Sequence, residues 1–499
     1  MILLDVADET SPRADDSLGA RSRGKHSRVG RRGSDSVSAS VSDSDSVSDS
    51  VSASVSDSVS DSLHAAKSWP CYLCSMLTIH APEDASREAA LESLSRRGEA
   101  DLARVEPAVR EILAAVRAGG DAAVSELAER FEGRRPERIW LGSERIAEGA
   151  ALAPAEVRRD LQAAADRIRR YHEHQREVGF RYEEDGIALG MRVRPIRAVG
   201  VYAPGGKARY PSTVLMTAVP AQVAGVPRVV LATPRPTPEL LAAAQIAGVH
   251  EVVDAGGAQA IGALAYGTQS VARVEKIVGP GNIYVACAKR LVFGLVDIDS
   301  IAGPSEILVV ADESADPAVV AADLLSQAEH DEDAYPLLVT TSAAMAEAVN
   351  AALVAQLEGL PRRAVAEISL RERGACFLVR DRAEAARLAD RLAPEHLALA
   401  VERAEELLEG IGAAGAVFLG HQTPEAAGDY AAGPSHVLPT GGATRYASPL
   451  GVYDFIVRTS LVRYSREALE AQGDLLERLA RLEGLEAHAR AVAIRRREP

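Results

Sequence analysis

The stretch RAVGVYAPGG (197–206), followed by STVLMTAVPAQVAGV (212–226) and RVVLATP (228–234), decides the fold class. It predicts a strand that ends in a glycine turn, then a helix, then a second strand. The next segments, PELLAAAQIAGV (238–249) and EVVDAGG (251–257), continue the alternation. Strands that alternate with helices of roughly 10–15 residues form parallel sheets covered by helices on both faces. The pattern therefore predicts an α/β fold.

A second series of strands follows further along the chain. These strands, separated by Ala-rich helices, are SEILVVAD (305–312), PLLVTT (336–341), ACFLV (375–379), LALAV (397–401) and GAVFLG (415–420). We therefore predict two Rossmann-like parallel-sheet domains, over residues 186–300 and 301–440, within the 499-residue chain. No GxGxxG motif follows a strand, so the usual dinucleotide-binding fingerprint is missing and both domains are incomplete by that standard.

The flanking segments differ from this pattern. Residues 76–185 carry apolar residues at three- and four-residue spacing, which predicts an N-terminal helical segment. Residues 441–499 end in another helical pattern and predict a C-terminal helical arm that must dock on something to be stable. Residues 1–75 contain a basic run and a Ser/Val/Asp repeat. They predict a disordered low-complexity tail that is neither a secretory signal nor a transit peptide.

Composition excludes several classes of protein. A formal net charge of −15 argues against a nucleic-acid-binding surface, which would be basic. No apolar run reaches the ~18 residues that a membrane span requires. Four cysteines are too few for a disulfide scaffold and fit a reducing compartment, so we expect a cytoplasmic protein. Cys71 and Cys74 form a single CxxC without the second ligand pair of a structural zinc site.

Two strand–turn–helix junctions carry glycine. Gly205 and Gly206 lie in one of them, and Gly279 and Gly281 lie in the other. Each leaves backbone N–H groups and a helix N-terminus that suit phosphate or another anion. Taken singly, either turn is better explained by a tight connection between strand and helix that needs a positive φ. Two such turns at the carboxyl ends of strands in one unit favour a ligand crevice.

The stretch LLSQAEHDEDA (324–334) crowds polar side chains at the end of an apolar helical pattern. If residues 316–330 form a helix, Gln327 and His330 project from one face and Glu329 points nearly opposite. Histidine is a good zinc ligand and a glutamine oxygen a weaker one, but two ligands do not make a site. A solvated helix end remains an alternative.

Distant segments offer further polar groups. The Gly- and Pro-rich stretch 426–442 is predicted to be a long loop and contains Asp429, Tyr430 and His436. Long loops in an α/β protein often carry function. The predicted C-terminal arm adds EGLEAH (483–488).

Glu395 and His396 stand immediately before a predicted strand, in LAPEHLALA (392–400). Pro394 fixes the backbone that leads into it, so two adjacent polar side chains can lie at the mouth of a strand. A histidine there suits proton transfer near neutral pH, although a solvated loop explains the pair as well.

Taken together, these segments resemble the histidinol dehydrogenase family over residues of about 84 to 497. The shared motifs, in family order, are VYAPGGKARYPSTVLM, AGGAQAIGALAYGT, KIVGPGNIYV, IAGPSEILV, DLLSQAEH, APEHL, AGDYAAGPSHVLPTGG and EGLEAH. The resemblance implies a zinc- and NAD-dependent four-electron oxidation of L-histidinol to L-histidine through L-histidinaldehyde. This reaction is the last step of histidine biosynthesis.

The resemblance also implies roles for particular residues. One zinc ion per subunit would be held by Gln327, His330, Asp429 and His488. His396 would be the base for the alcohol, and Glu395 would activate water. The implied substrate contacts are Ser305, Gln327, His330, His396, Asp429, His436, Glu483 and His488. The implied NAD contacts are Tyr202, Gln259 and Asn282.

The same resemblance implies a homodimer in which the arm of one subunit contributes Glu483 and His488 to the site of its partner. It also implies that residues 186–300 bind NAD and that residues 301–440 carry the zinc and catalytic residues. Two other interpretations remain. One is an aldehyde dehydrogenase with Cys287 as nucleophile, although a small buried core residue explains that cysteine better. The other is a zinc hydrolase or a non-catalytic metal-binding protein.

Overall fold

A computed structural model describes residues 75–98, 102–205 and 210–497, and the structural statements below concern those residues. The predicted tail, apart from its last residue, and the CxxC motif lie outside them. Within these residues, no helix is both long enough and apolar enough to cross a lipid bilayer. The first elements are β1 (Thr78–His80), α1 (Arg87–Ser95), α2 (Leu102–Gly119), α3 (Asp121–Glu132), β2 (Trp140–Gly142), α4 (Ser143–Ala150), α5 (Ala155–Glu173), β3 (Phe180–Glu184) and β4 (Ile187–Pro195).

The stretch that begins at Arg197 builds the first of two doubly wound sheets. Its elements are β5 (Val199–Tyr202), α6 (Pro211–Ala224), β6 (Val229–Ala232), α7 (Pro238–Ile246), β7 (Glu251–Val253), α8 (Gly257–Tyr266), β8 (Lys276–Val278), α9 (Ile283–Val292) and β9 (Asp297–Ile298). The strand order is β2-β7-β6-β5-β8-β9, and every pair is parallel except β2 with β7. The order reverses between β5 and β8, as in a Rossmann fold.

The second sheet repeats this arrangement. Its elements are β10 (Glu306–Ala311), α10 (Pro317–Ala328), β11 (Tyr335–Thr340), α11 (Ala343–Leu357), α12 (Arg363–Glu372), β12 (Ala375–Leu378), α13 (Arg382–Leu392), β13 (His396–Ala400), α14 (Ala404–Leu408), β14 (Ala416–Leu419) and α15 (Glu425–Tyr430). The strand order is β1-β12-β11-β10-β13-β14, and all pairs are parallel. The α/β fold class with two Rossmann-like sheets is confirmed.

Local sequence explains where the helices begin. Asp316 caps α10 by accepting a hydrogen bond from the backbone of Ala318, and Pro317 occupies the first helical position. Asn282 caps α9 in the same way through the backbones of Tyr284 and Val285. The central strands carry the core, since every residue of β5 and β10 is buried. Such continuous apolar runs are typical of strands covered by helices on both faces.

A third, antiparallel sheet has the order β15-β4-β3, where β15 is Ile456–Tyr464. Its last strand leads into a hairpin of two helices, α16 (Arg466–Leu482) and α17 (Glu486–Arg496). The helical prediction for the C-terminal arm is confirmed for α16 and α17 but misses β15. The hairpin exposes apolar side chains, among them Leu475, Leu479 and Leu482.

The N-terminal helical segment, residues 76–185, also contains three strands that the sequence did not predict. β1 pairs with β12 at the edge of the second sheet, β2 pairs with β7 at the edge of the first, and β3 belongs to the antiparallel sheet. Two of these strands have only three residues, so they are too short to show a period of their own. They form because a sheet edge supplies the hydrogen-bonding partners.

Candidate functional site

The predicted acid–base pair lies at the amino edge of the second sheet. His396 is the first residue of β13 and is in register with Ile307 of β10, so Glu395 and His396 lie beside the start of β10. Ser305, a predicted substrate contact, directly precedes β10. Ligands of open α/β sheets usually bind at the carboxyl edge, so this pair occupies the opposite edge.

His396 is buried and its ring is held in one orientation. Its Nδ1 lies 2.9 Å from the backbone oxygen of Glu306. A carbonyl only accepts hydrogen bonds, so Nδ1 carries the proton and donates it. In the neutral ring, Nε2 is then free to accept a proton, and it lies 3.4 Å from Oε1 of Glu425.

Glu395 is also buried, and one of its oxygens, Oε2, accepts a hydrogen bond from the backbone N–H of Glu306 at 2.8 Å. Burial raises the pKa of Glu395 to about 8; the charges of Glu306 and Asp429 add to this effect, and His396 opposes it. A carboxyl group with such a pKa can exchange protons near neutral pH. The two side chains therefore suit general acid–base chemistry.

The predicted helix over residues 316–330 ends earlier, since α10 stops at Ala328. His330 lies in the turn that follows, where its backbone N–H donates to the oxygen of Gln327 at 3.1 Å. Gln327 is 1% exposed, and its Oε1 has no hydrogen-bond partner among the described residues. Burial lowers the pKa of His330, while the nearby charge of Asp429 raises it. The structure thus brings His330 close to Asp429.

The prediction of a loop at residues 426–442 is wrong at its start, because Asp429 and Tyr430 lie on the short helix α15. Gly428 made this segment resemble a loop. A Cβ at that position would lie 2.7 Å from the ring of Phe418, so glycine permits the helix to pack closely there. The helix presents Asp429 to the site.

Glu425, which the sequence analysis missed, completes this side of the site. It is buried, and its Oε2 accepts a hydrogen bond from Ser326 at 3.0 Å, while Oε1 has no hydrogen-bond partner within the described chain. Ligand atoms of His396, Glu425 and Asp429 all lie within 4.8 Å of one another. Burial raises the pKa of Glu425 to about 8, and the charge of Asp429 adds to the effect. The cluster can hold a cation or share protons.

His436 connects this site to the first sheet. Its Nδ1 lies 3.0 Å from the backbone oxygen of Asp429, and its Nε2 lies 3.1 Å from the hydroxyl of Thr213 on α6. The neighbouring Ser435 donates to the oxygen of Met216, also on α6, at 3.1 Å. The site therefore lies where the two doubly wound units meet.

Glu483 and His488 do not join this cluster within the single chain. Glu483 follows the last residue of α16, and His488 lies on α17. Both are exposed, and neither side chain has a hydrogen-bond partner in the described part of the chain.

The residues predicted to contact NAD surround the carboxyl edge of the first sheet. Tyr202 ends β5, and its hydroxyl accepts a hydrogen bond from the backbone of Gly257 at 3.0 Å. Gln259 is buried near the start of α8, and Asn282 caps α9. A Cβ at Gly279 would overlap the carbonyl of Tyr202, so the turns after β5 and β8 touch. This is the position at which the strand order reverses; part of the first glycine turn, Gly206 included, lies outside the described residues.

Cys287 lies in the core between α9 and α2. It is completely buried, and its Sγ is 3.9 Å from the backbone oxygen of Leu102. Burial raises the pKa of the Cys287 thiol, which opposes formation of the thiolate that a nucleophile needs. The preferred interpretation of Cys287 as a core residue agrees with this position.

Two doubly wound sheets and a buried pair of an imidazole and a carboxyl group define an α/β protein whose site suits proton transfer. The sequence model of the histidinol dehydrogenase family matches residues 95–496. The chain belongs to the histidinol dehydrogenase family, a family of oxidoreductases.

Individual relatives agree with this assignment. Histidinol dehydrogenase of Aquifex aeolicus is 51% identical over 418 residues, which cover 83% of this chain and 98% of the relative. The enzyme of the same name from Pseudomonas aeruginosa is 51% identical over 395 residues, covering 78% and 90% of the two chains. The crystal structure of histidinol dehydrogenase from Elizabethkingia anophelis superposes with a TM-score of 0.79 at 34% identity, covering 84% of this chain and 98% of that one.

Proposed function

We propose that this chain oxidises L-histidinol to L-histidine through L-histidinaldehyde, using two NAD⁺ molecules and one zinc ion per subunit. The observation that carries this proposal is the buried pair Glu395 and His396, in which Nε2 of the imidazole is left free to accept a proton. A sparse set of cysteines and membership of a biosynthetic family support a cytoplasmic location.

His396 acts as the base in the first oxidation. With its Nδ1–H held by Glu306, its Nε2 takes the hydroxyl proton of histidinol, while the carbon loses a hydride to NAD⁺. The products are the aldehyde, NADH and a protonated imidazole. Carboxyl oxygens of Glu425 and Glu395, 3.4 Å and 3.6 Å from the ring nitrogens, stabilise that positive charge.

Glu395 acts in the second oxidation. As water adds to the aldehyde, the Glu395 carboxylate takes one of its protons, which leaves the anion of the hydrate. This anion then loses a hydride to a second NAD⁺ and a proton to the site, which leaves the carboxylate of histidine. A base whose pKa is raised to about 8 by burial is strong enough for this step near neutral pH.

Gln327, His330 and Asp429 would hold the zinc ion, together with His488 of the partner subunit. The buried Oε1 of Gln327, which has no hydrogen-bond partner among the described residues, supports this set, because a bound cation would satisfy such an oxygen. Imidazole nitrogen and carboxylate oxygen are ordinary zinc donors. When bound, zinc supplies a fixed positive centre that orients the substrate. The proposed substrate contacts are Ser305, Gln327, His330, His396, Asp429, His436, Glu483 and His488.

Residues 186–300 would bind NAD, which supplies the hydride acceptor. Tyr202, Gln259 and Asn282 lie around the point where the strand order of the first sheet reverses, and this position supports their assignment. Residues 301–440 would carry the zinc and catalytic residues. The link from His436 to Thr213 supports a site that both units share.

The arm at residues 441–499 would form a homodimer and bring Glu483 and His488 to the partner's site. Two observations support this proposal. Both residues are exposed in the single chain, and the same hairpin exposes Leu475, Leu479 and Leu482. Apolar side chains grouped in this way favour association with another protein surface.

Turnover of histidinol tests the function directly. The zinc-loaded protein is mixed with L-histidinol and NAD⁺, and NADH and histidine are measured together. We expect two NADH for each histidine formed, and loss of both products after a chelator removes the metal. A folded, zinc-containing protein that forms no NADH from histidinol would refute the proposal and favour a zinc hydrolase.

A further inference from the structure

Glu306, the first residue of β10, holds both members of the acid–base pair through its backbone. Its N–H donates to Oε2 of Glu395 at 2.8 Å, and its carbonyl accepts from Nδ1 of His396 at 2.9 Å. The regular pairing of the neighbouring parallel strands β10 and β13 starts at Ile307 and His396. These two side-chain contacts to the backbone of Glu306 lie directly beside the start of that pairing. The positions of both catalytic side chains thus depend on this one residue.

The buried side chain of Glu306 adds a second set of contacts. Its Oε2 accepts from the backbone N–H of Glu395 at 3.3 Å and from Nη2 of Arg97 at 2.7 Å. Its Oε1 accepts from the backbone N–H of Gly441 at 2.6 Å. Glu306 and Glu395 therefore exchange hydrogen bonds in both directions, each carboxyl bonding to the backbone of the other.

Arg97 fixes the chain that leads into the catalytic pair. Only 1% of its side chain is exposed, and its guanidinium also donates to the backbone oxygens of Leu392 at 2.7 Å and Ala393 at 3.4 Å. Ala393 has a φ of 46°, a left-handed conformation that a residue with a Cβ adopts only when its surroundings impose it. Arg97 thus forms the ion pair with Glu306 and also stabilises the left-handed backbone of Ala393, which precedes Pro394.

We propose that Arg97 and Glu306 form a positioning pair for Glu395 and His396, and that the Glu306 carboxylate acts selectively on the oxidation that uses Glu395. This inference rests on the roles proposed for the two catalytic residues. The selectivity follows from the contacts. Of the groups of Glu306, the ring of His396 bonds to the carbonyl, which every residue has, whereas the backbone N–H of Glu395 also donates to the carboxylate.

The Glu306 carboxylate also acts on Glu395 through its charge. The charged or titratable groups that face Glu395 are Glu306, His396 and Asp429, and Arg97 lies behind Glu306. The negative charge of Glu306 raises the pKa of Glu395, so removing that charge lowers it. The pH at which Glu395 becomes able to accept a proton should then fall.

The test compares the two oxidations in Glu306→Gln, which keeps the shape of the side chain and removes its charge. The second oxidation is measured with histidinaldehyde as the added substrate. The first oxidation is measured as the first NADH formed from histidinol. We expect kcat of aldehyde oxidation to fall about tenfold, which is part of the roughly 10²–10⁴-fold that a general base contributes. Its pH profile should shift to lower pH, while the first oxidation changes by less than about twofold, because the carbonyl contact to His396 remains.

Controls separate this role from a structural one. Glu384→Gln alters another partly buried ion pair of the same unit, Arg87 with Glu384, and should leave both oxidations unchanged. If Glu306→Gln alone fails to fold because it leaves the Arg97 charge unpaired, Arg97→Met/Glu306→Gln removes both charges and is measured instead. Equal loss of both oxidations with no shift in the pH profile would overturn the inference. A wild-type protein that oxidises neither substrate would instead overturn the proposed function and the inference with it.

Discussion

The two doubly wound sheets share one strand order, but the residues proposed to contact NAD and those proposed to transfer protons lie at opposite edges of their sheets. In the first sheet, Tyr202 ends β5 and Asn282 follows β8 at the carboxyl edge; in the second, Glu395 and His396 lie at the amino edge. The carboxyl edge of the second sheet is closed at the equivalent position. There, Asp312 accepts hydrogen bonds from the backbone of Glu402 at 3.1 Å and from a guanidinium nitrogen at 3.4 Å.

This difference shows that topology alone does not place a site. The reversal of strand order opens a crevice only if the loops leave it open, and in the first sheet glycine lets the two turns approach closely at this position. At the second sheet, Asp312 instead links the segments that follow β10 and β13. Glu395 and His396 lie instead at the edge where the strands begin, next to residues of α10 and α15. Each prediction below tests one side of this comparison.

The largest effect is expected at the second sheet, from His396→Asn. Asparagine can keep a hydrogen bond to the Glu306 carbonyl but cannot take the alcohol proton. We expect the first oxidation to fall by roughly 10²–10⁴-fold, the range for loss of a general base. Stopped-flow measurement of the first NADH checks this, together with metal analysis. Loss of zinc in this variant would contradict the role of His396 as a base.

The next effect is expected at the first sheet, from Gly279→Ala. This residue has a φ of 115°, and a Cβ would overlap the carbonyl of Tyr202. Because the two turns would separate, we expect KM for NAD⁺ to rise by about tenfold, which lies within the effect of roughly 1–3 kcal/mol of backbone strain. Gly294→Ala is the matched control: its φ is 94° but its Cβ would meet nothing within 4 Å. Equal changes in both variants would argue against a cofactor crevice at Gly279.

A partial recovery of activity in a mixture of two inactive variants tests whether the proposed zinc site takes His488 from the partner subunit. His488→Ala should weaken zinc binding and is inactive by itself. Mixed with His396→Asn, it should form heterodimers with one intact site each, restoring about a quarter of wild-type activity if subunits pair at random. Subunit exchange is followed by NADH formation after refolding the mixture. A fully inactive mixture that contains heterodimers would show that each site is complete within one chain.

The smallest effect is expected from Cys287→Ser, in the core between α9 and α2. No catalytic group contacts this thiol among the described residues, so turnover should change by less than about twofold. The buried hydroxyl should lower the free energy of unfolding by about 1–2 kcal/mol. Thermal unfolding and steady-state kinetics check the two expectations. A loss of turnover with normal folding and normal zinc would revive the cysteine-nucleophile alternative.

Sequence predicted the regular parts of the fold because their signals are long and local. Strands and helices alternate over many residues around β5 and β10. Capping residues such as Asp316 also mark where a helix begins. The three-residue strands β1 and β2 have no such signal, since their partners lie elsewhere in the chain. Helix α15 was not predicted because Gly428 suggested a loop. In the structure, this glycine allows the helix to pack closely against Phe418.

The supporting residues of the site could not be predicted for a related reason. Glu395 and His396 stand out as an adjacent polar pair, whereas Glu306 resembles any polar residue at the start of a strand. Arg97 lies 209 residues before Glu306, so no spacing in the sequence connects them. Glu425 stands four residues before Asp429, a helical spacing that would have connected the two if α15 had been predicted.

The contacts of Arg97 and β1 also bear on the order in which the protein is made. Arg97 bonds to Leu392, 295 residues later, and β1 completes the edge of the second sheet. At a synthesis rate of about 5–20 residues per second, this N-terminal segment waits roughly 15–60 s for its partners. Meanwhile the whole first sheet is synthesised. Glu395 and His396 can therefore bond to Glu306 only after the strands of the second sheet have been made, and until then Arg97 and β1 lack these partners.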